Sequence, residues 1–357
     1  MSTAFFEATL AQIFKIRGKD GQFRGGPAYY IQQGLGKRWM GIVFAVSLIA
    51  CYVVGFNELQ AYNAASGLEY YIPDYATNGA AVVLGVVFTI ATAAVIFGGQ
   101  KRISVINSWV VPIMALAYIG LGVWITFSHL NLLPAAFGMM FASAFDFQAI
   151  FGGVAGSALM LGIKRGLFSN EAGMGSTPHA HAQANVKTPH EQGIAAMAGV
   201  FIDTFVVLTM TALVVISTLY AGNGVLASGA AEGISKTNMA QLAFGTFFGS
   251  TFGNSFVAIC LLMFAFSTIL SWNLFAKLNV EYLFARFGKM PVKIFSVIAL
   301  IFIFLGSLLS NDLVWELADM FNQLMVIPNA IALFALSGVV AAVVKQHHHG
   351  EKVELDE

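Results

Sequence analysis

The sequence FQAIFGGVAGSALMLGIKRGLFSNEAGMGSTPHAHAQA, residues 147–184, joins an apolar run to a polar segment rich in small residues. The apolar run ends at the basic pair Lys164 and Arg165. An apolar run of about 20 residues is long enough to cross a bilayer as a helix. The stretch therefore predicts the end of a membrane helix that continues into a functional segment, residues 164–184.

The composition places the whole chain in the same class. Of its 357 residues, 58% are hydrophobic and only 10% are charged, whereas soluble domains carry roughly 25% charged residues. The mean hydropathy is +0.76. The net charge is zero and the basic residues form no dense patch, so nucleic acid is not an expected partner. Cys51 and Cys260 both lie in apolar runs, which predicts buried free thiols.

Eight apolar stretches approach the length of a membrane span, which predicts an all-α integral membrane protein in the lipid bilayer. They cover residues 40–63, 80–99, 105–128, 147–168, 194–220, 253–277, 292–310 and 320–344. The chain is accordingly divided into residues 1–39, the end of a helix plus a loop, residues 40–344, the transmembrane domain, and residues 345–357, a tail.

Basic residues are concentrated in alternate connections between these spans. Seventeen of the 18 Lys and Arg residues fall on one side, and Lys236 falls on the other side with acidic residues that include Asp319. An excess of basic residues marks the cytoplasmic side of a membrane protein. The N-terminal segment and the C-terminal tail are therefore predicted to be cytoplasmic.

The same depth assignment suggests a gate. Lys164 and Arg165 mark the cytoplasmic end of the fourth span. Ser169, Asn170 and Glu171 follow directly and are expected at the cytoplasmic mouth, as a candidate inner gate.

Small residues cluster at the centre of the fourth span, at Gly152, Gly153, Gly156 and Ser157. Each glycine lowers helix stability by about 1 kcal/mol relative to alanine. A discontinuous helix at this depth would offer free backbone groups to a small ligand. The alternative is a small-residue face for close helix packing, which these residues alone favour narrowly.

Two adjacent hydroxyls, Ser267 and Thr268, lie at the centre of the sixth span, with Ser271 and Trp272 just beyond. Oxygen atoms are the ligands that hard cations such as sodium prefer. Ser and Thr hydroxyls also bond back to carbonyl groups of their own helix. The two interpretations are supported about equally.

Ionisable residues inside the predicted spans are few. Asp203 lies within the fifth span and could position a cation or a proton. A packing carboxylate bonded to a neighbouring hydroxyl is the favoured alternative. His179, His181 and His190 could imitate a metal site, but their spacing favours solvated loop residues, so no metal is predicted. The sequence contains no nucleophile elbow and no phosphate-binding loop, which argues against an enzyme.

Three motifs resemble the alanine or glycine:cation symporter family of bacterial and archaeal membrane proteins. Residues 7–36, EATLAQIFKIRGKDGQFRGGPAYYIQQGLG, include a GGP-x-YYI segment; residues 165–182 combine RGLFSNEAGMGS with HAHA; residues 264–272 read FAFSTILSW. The resemblance covers nearly the whole chain. It implies a five-plus-five inverted-repeat fold in the inner membrane of a bacterial cell. The implied activity is alternating-access uptake of alanine, glycine or a related small amino acid, driven by sodium or by protons, with no cofactor.

The resemblance also implies roles for individual residues. The amino acid would bind between broken core helices, and the Trp272 ring would close a pocket sized for a methyl or hydrogen side chain. The implied substrate-binding residues are Gln60, Gly152, Gly153, Gly156, Ser157, Thr268 and Trp272. Ser267 and Thr268 resemble the family's sodium-binding pair.

In that fold, the first core helix and most of the second would precede the chain. The resemblance therefore implies an N-terminally truncated symporter with eight spans, in which residues 5–14 end the second core helix. One alternative is a fragment that is inactive in transport. A structural or channel-forming membrane subunit is a less favoured alternative.

Overall fold

The structure is a computed structural model that describes residues 1–18, 21–72, 75, 78–98, 100–145, 158–227 and 238–348. Within these residues the chain is almost entirely helical. The described residues contain one sheet, an antiparallel ribbon in which Ile16 pairs with Arg24 and Arg17 with Phe23. This ribbon of β1 (Ile16–Arg17) and β2 (Phe23–Arg24) separates α1 (Ser2–Ile13) from α2 (Pro27–Gly34).

The helices that follow contain most of the apolar sequence. They are α3 (Arg38–Ala50), α4 (Asn57–Ser66), α5 (Ala80–Ile96), α6 (Gln100–Ser128), α7 (Leu133–Ala144), α8 (Ala158–Asn170), α9 (Pro178–His181), α10 (Pro189–Phe201), α11 (Thr209–Val215), α12 (Met239–Phe248), α13 (Ser250–Phe284), α14 (Met290–Gly306), α15 (Asn311–Ala335) and α16 (Ser337–His348). Wider π-helical segments at Cys51–Phe56 and Ile202–Leu208 join α3 to α4 and α10 to α11, and Ile216–Tyr220 extends α11. Short 3-10 turns follow α4 at Glu69–Tyr71 and α13 at Ala285–Phe287.

Five continuous helices in the described part of the chain are long and apolar enough to cross a membrane. They are Arg38–Tyr71, Arg102–Ser128, Pro189–Tyr220, Ser250–Phe287 and Asn311–Ala335. The shorter α5 and α14 coincide with the predicted spans 80–99 and 292–310. The first half of the fourth predicted span, residues 147–157, lies outside the described residues, and α8 covers the rest. The prediction of an all-α membrane protein is confirmed.

Some predicted boundaries are wrong. The sequence predicts a span that starts at residue 320, but α15 begins at Asn311. The predicted start is late because Asp312, Glu316 and Asp319 lower the hydropathy of the first turns of the helix. The same helix ends at Ala335, so residues 320–344 do not form one continuous helix. The predicted connections also contain two short apolar helices, α7 and α12.

The main core forms where α3 and the π-helical segment Cys51–Phe56 pack against α13 and α15. Phe44, Leu48, Tyr52 and Phe56 recur at four-residue intervals, which places them on one helix face, and all four are fully buried. At Gly55 an added Cβ would lie 3.0 Å from the Ala318 Cα, so glycine permits the close approach of α15. Cys51 and Cys260 are buried and free, as predicted.

One ion pair contradicts the predicted sidedness. The charge pattern of the sequence predicts Asp319 on the side opposite to Lys164 and Arg165. In the structure Arg165 Nη2 lies 2.8 Å from Asp319 Oδ2, and Lys164 Nζ lies 3.6 Å from the same oxygen. The prediction of opposite sides is wrong, because such contacts cannot bridge a hydrocarbon layer about 30 Å thick. The Arg165 guanidinium also lies 3.9 Å from the centre of the Trp315 ring.

Candidate functional site

The segment after α8 is a tight loop built from residues with left-handed backbone. Glu171, Gly173 and Gly175 have φ angles of 55°, 95° and 84°. Glycine adopts this region without steric cost, whereas a non-glycine residue there is strained by roughly 1–2 kcal/mol. At Gly175 an added Cβ would also lie 2.6 Å from the Phe44 ring. The strained residue, Glu171, is one of the three predicted gate residues.

The loop is held by Glu7, which is not among the site residues predicted from the sequence. Glu7 lies in α1 and is completely buried. Its carboxylate accepts hydrogen bonds from the backbone N–H groups of Gly173 at 2.8 Å and Gly175 at 2.9 Å. The Asn329 side chain donates a third at 2.7 Å, and the Tyr30 hydroxyl donates to Asn329. Glu7 therefore connects α1 and α15 to the loop that contains Glu171.

Glu171 connects the predicted gate to the predicted substrate pocket. The Trp272 indole N–H donates to Glu171 Oε1 at 2.7 Å, and the Ser176 hydroxyl donates to the second carboxylate oxygen. Burial raises the pKa of Glu171, although both hydrogen bonds oppose that shift. Trp272 is 3% exposed, and the centre of its ring lies 4.5 Å from the centre of the Phe56 ring.

A cleft of 360 Å³ brings most of the predicted site residues together. It lies between the loop, α6, α10 and α13, with the π-helical segment that follows α10. Its lining includes the predicted gate residues Ser169, Asn170 and Glu171, the predicted cation ligands Ser267 and Thr268, and also Ser271, Trp272 and Asp203.

The two predicted cation ligands differ in their hydrogen bonds. The Ser267 hydroxyl bonds back to the Phe264 carbonyl at 3.0 Å, which is the common arrangement for a hydroxyl in a helix. Ser271 bonds back to Ser267 O at 3.2 Å and also accepts a bond from Asn107 at 2.8 Å. The half-buried Thr268 makes no hydrogen bond within the described part of the chain, so its hydroxyl remains available in the cleft.

Asp203 makes the contact that the favoured alternative predicted for it. The Ser169 hydroxyl donates to Asp203 Oδ2 at 2.8 Å. Asn170 next to it donates to the Thr204 hydroxyl at 3.2 Å. Two of the three predicted gate residues are thus hydrogen-bonded to the π-helical segment Ile202–Leu208.

Not every predicted residue reaches this cleft. Gln60 is half-buried in α4 and is not among the described residues that line it. Gly152, Gly153, Gly156 and Ser157 lie outside the described residues.

His179 is completely buried, so the prediction of a solvated loop histidine is wrong for this residue. Its ring stacks between Phe44 and Phe275. Nδ1 lies 2.8 Å from the Ser176 carbonyl and must carry the proton, while Nε2 accepts from Asn279 at 2.7 Å. Burial in this apolar setting lowers the pKa of His179 to about 4.

The low pKa of His179 predicts acid sensitivity. The unfolded imidazole binds a proton below its ordinary pKa of about 6.5, whereas the folded one stays neutral down to about pH 4. Stability therefore falls as the pH drops from 6.5 toward 4, by roughly 2 kcal/mol at pH 5. We expect His179→Gln to reduce the drop in melting temperature between pH 7 and pH 5.

His129→Gln is the matched control, because that histidine is not buried. Burial also lowers the pKa of His181 to about 4, so His181 contributes equally to both variants. Equal pH dependence in His179→Gln and the parent protein would contradict the assignment.

These features define a class: an all-α, multi-pass membrane protein with a cleft that is lined in part by the loop after α8. The chain matches the model of the sodium:alanine symporter family over residues 1–357. It belongs to that family, whose members are transporters and not enzymes. The family predicted from the three motifs is confirmed, whereas the expected N-terminal truncation is not borne out.

Several relatives agree with this family. The chain is 36% identical over 357 residues to the amino-acid carrier protein AlsT of Bacillus subtilis, covering 100% of the chain and 72% of the relative. It is 36% identical over 356 residues to the probable sodium/glutamine symporter GlnT of Bacillus subtilis, covering 99% and 71%. It is 35% identical over 360 residues to the sodium/alanine symporter AgcS of Methanococcus maripaludis, covering 99% and 76%.

Proposed function

We propose that this protein is a secondary active symporter that takes up a small neutral amino acid, alanine or glycine, together with sodium by alternating access. One observation carries the proposal. The available hydroxyl of Thr268 lines the same cleft as Trp272, and Trp272 is bonded to the gate residue Glu171. A cation ligand, a ring that limits substrate size and a gate residue therefore meet in one cleft.

Sodium is the proposed coupling ion because the available group is a neutral hydroxyl. Thr268, with Ser267 beside it, can offer oxygen to a hard cation but has no proton to exchange near neutral pH. Proton coupling would instead require Asp203 or Glu171 to bind a proton during transport, which would weaken the hydrogen bonds that both carboxylates accept. The name of the AgcS relative supports sodium and alanine.

A small substrate is proposed because Trp272 lies against the aromatic rings of Tyr52 and Phe56 and has little room to move. The relative named for glutamine shows that the family includes proteins assigned to a larger amino acid. Gln60 and the backbone around Gly152, Gly153, Gly156 and Ser157 are proposed to complete the amino-acid site.

The proposed architecture places eight spans of a five-plus-five inverted repeat within residues 40–344. The N-terminal residues 1–39 and the tail 345–357 would lie on the cytoplasmic side of the inner membrane, with Ser169, Asn170 and Glu171 as the inner gate. The hydrogen bonds of Glu171 with Trp272 and of Ser169 with Asp203 would hold this gate closed. Breaking these hydrogen bonds would open the path from the cleft to the cytoplasm.

The test is uptake of labelled L-alanine into proteoliposomes that contain the purified protein. An inward sodium gradient is expected to drive uptake above that of empty vesicles, and excess unlabelled glycine is expected to inhibit it more strongly than L-glutamine. A pH gradient without sodium is expected to drive none. Uptake driven by the pH gradient alone, or no uptake under either gradient, would overturn the proposal.

A further inference from the structure

A second, larger cavity of 1160 Å³ opens at the end of the molecule where basic residues collect. It lies between the ribbon β1–β2, the start of α3, the end of α5, the end of α13 and the start of α14. Its lining shares none of the predicted substrate, cation or gate residues. It is therefore separate from the transport cleft.

The cavity carries a strong excess of positive charge. Six basic residues line it, namely Arg17, Arg24, Arg38, Lys277, Lys289 and Lys293. Among the described lining residues Glu281 is the one carboxylate, and it already pairs with Arg24 at 2.8 Å and with Lys277 at 3.9 Å. No carboxylate of the described residues forms an ion pair with Arg38, Lys289 or Lys293.

The cavity wall is also apolar. Ile96, Phe97, Ile103, Leu274 and Val292 line it beside the basic residues. The apolar surface continues outward, because Phe97 is 59% exposed and Met290, next to the lining residue Lys289, is 64% exposed. A soluble anion would gain nothing from such a surface, whereas a phospholipid can place its phosphate on the cations and its acyl chains on the apolar wall.

We propose that this cavity binds an anionic phospholipid through its phosphodiester headgroup. Arg38, Lys289 and Lys293 would contact the phosphate, and Phe97 and Val292 would contact the first acyl carbons. All six cations belong to the predicted cytoplasmic set, so the lipid would come from the inner leaflet. Basic pockets between membrane helices on that side are a recurring mode of lipid headgroup recognition.

The experiment measures binding of phosphatidylglycerol and phosphatidylcholine to the detergent-purified protein by native mass spectrometry. We expect preferential binding of phosphatidylglycerol. The double variant Lys289→Gln/Lys293→Gln should weaken that binding roughly 30-fold, about fivefold for each basic side chain removed. Arg38→Gln is a second variant that tests the contribution of α3 to the cavity, with about a fivefold loss expected.

The control is Lys187→Gln/Lys345→Gln, which removes the same charge from exposed residues that do not line the cavity. It should leave lipid affinity within twofold of the parent protein. An equal loss of lipid affinity in the control would show that general surface charge explains the effect, and would overturn the proposal. Displacement of phosphatidylglycerol by millimolar inorganic phosphate or glycerol 1-phosphate would identify a soluble anion as the ligand, and would also overturn it.

Discussion

Thr268→Ala is expected to reduce sodium-driven alanine uptake to the level of empty vesicles. Thr268 lines the cleft and its hydroxyl makes no hydrogen bond within the described residues, so the cation is its proposed partner. A charge-assisted contact of this kind contributes roughly 1.5–3 kcal/mol, which corresponds to about a 10- to 150-fold loss of sodium affinity. The measurement is the initial rate of uptake over a range of sodium concentrations.

Two further variants make this result specific. Thr268→Ser keeps the hydroxyl and is expected to retain sodium-driven uptake. Thr246→Ala removes a threonine of α12 that is exposed and bonds back to Leu242 at 2.8 Å, so uptake should match the parent protein. Normal sodium dependence in a well-folded Thr268→Ala protein would contradict the proposed cation site.

Glu7→Ala is expected to cause a large loss of stability. The buried carboxylate satisfies the N–H groups of Gly173 and Gly175 and the amide of Asn329. Removing it leaves buried donors without an acceptor, at a cost of roughly 3 kcal/mol or more in total. The measurement is the melting temperature in detergent, together with hydrogen exchange at Gly173 and Gly175, which should accelerate.

Glu69→Ala is the matched control, because Glu69 is exposed in the 3-10 turn Glu69–Tyr71. Its melting temperature should equal that of the parent protein. Since the loop held by Glu7 also contains Glu171, we expect alanine uptake to fall in Glu7→Ala even at temperatures where the protein is folded. An unchanged melting temperature and unchanged exchange at the two glycines would show that the Glu7 carboxylate does not stabilise the loop.

The sequence predicted the class of fold and the family well, because both depend on local signals. Membrane helices need long apolar runs, and such runs are visible without any tertiary information. The motif RGLFSNEAGMGS is also local, and its glycines at 173 and 175 occupy left-handed backbone as a sharp turn requires. The predicted start of α15 is wrong because this prediction also depends on local hydropathy. The acidic residues in the first turns of the helix lower the average hydropathy there.

The contacts that build the cleft depend on residues far apart in sequence. Glu7 is hydrogen-bonded to Gly173, which is 166 positions away in the sequence, and Trp272 is hydrogen-bonded to Glu171, which is 101 positions away. No pattern in the sequence marks such pairs. Glu7 did carry one signal, because a glutamate within a short apolar run is costly unless it is paired. The Arg165–Asp319 ion pair was missed because charge counting assigns residues to sides of the membrane and not to depths within it.

Sodium binding to the purified protein, measured with labelled sodium in the presence and absence of L-alanine, tests the central claim most directly. If bound alanine stabilises sodium in the cleft of Thr268 and Trp272, sodium must raise the affinity for alanine by the same factor by which alanine raises the affinity for sodium. We predict this mutual increase in the parent protein and its loss in Thr268→Ala. Sodium binding that is absent, or that does not change when alanine is added, would contradict the account.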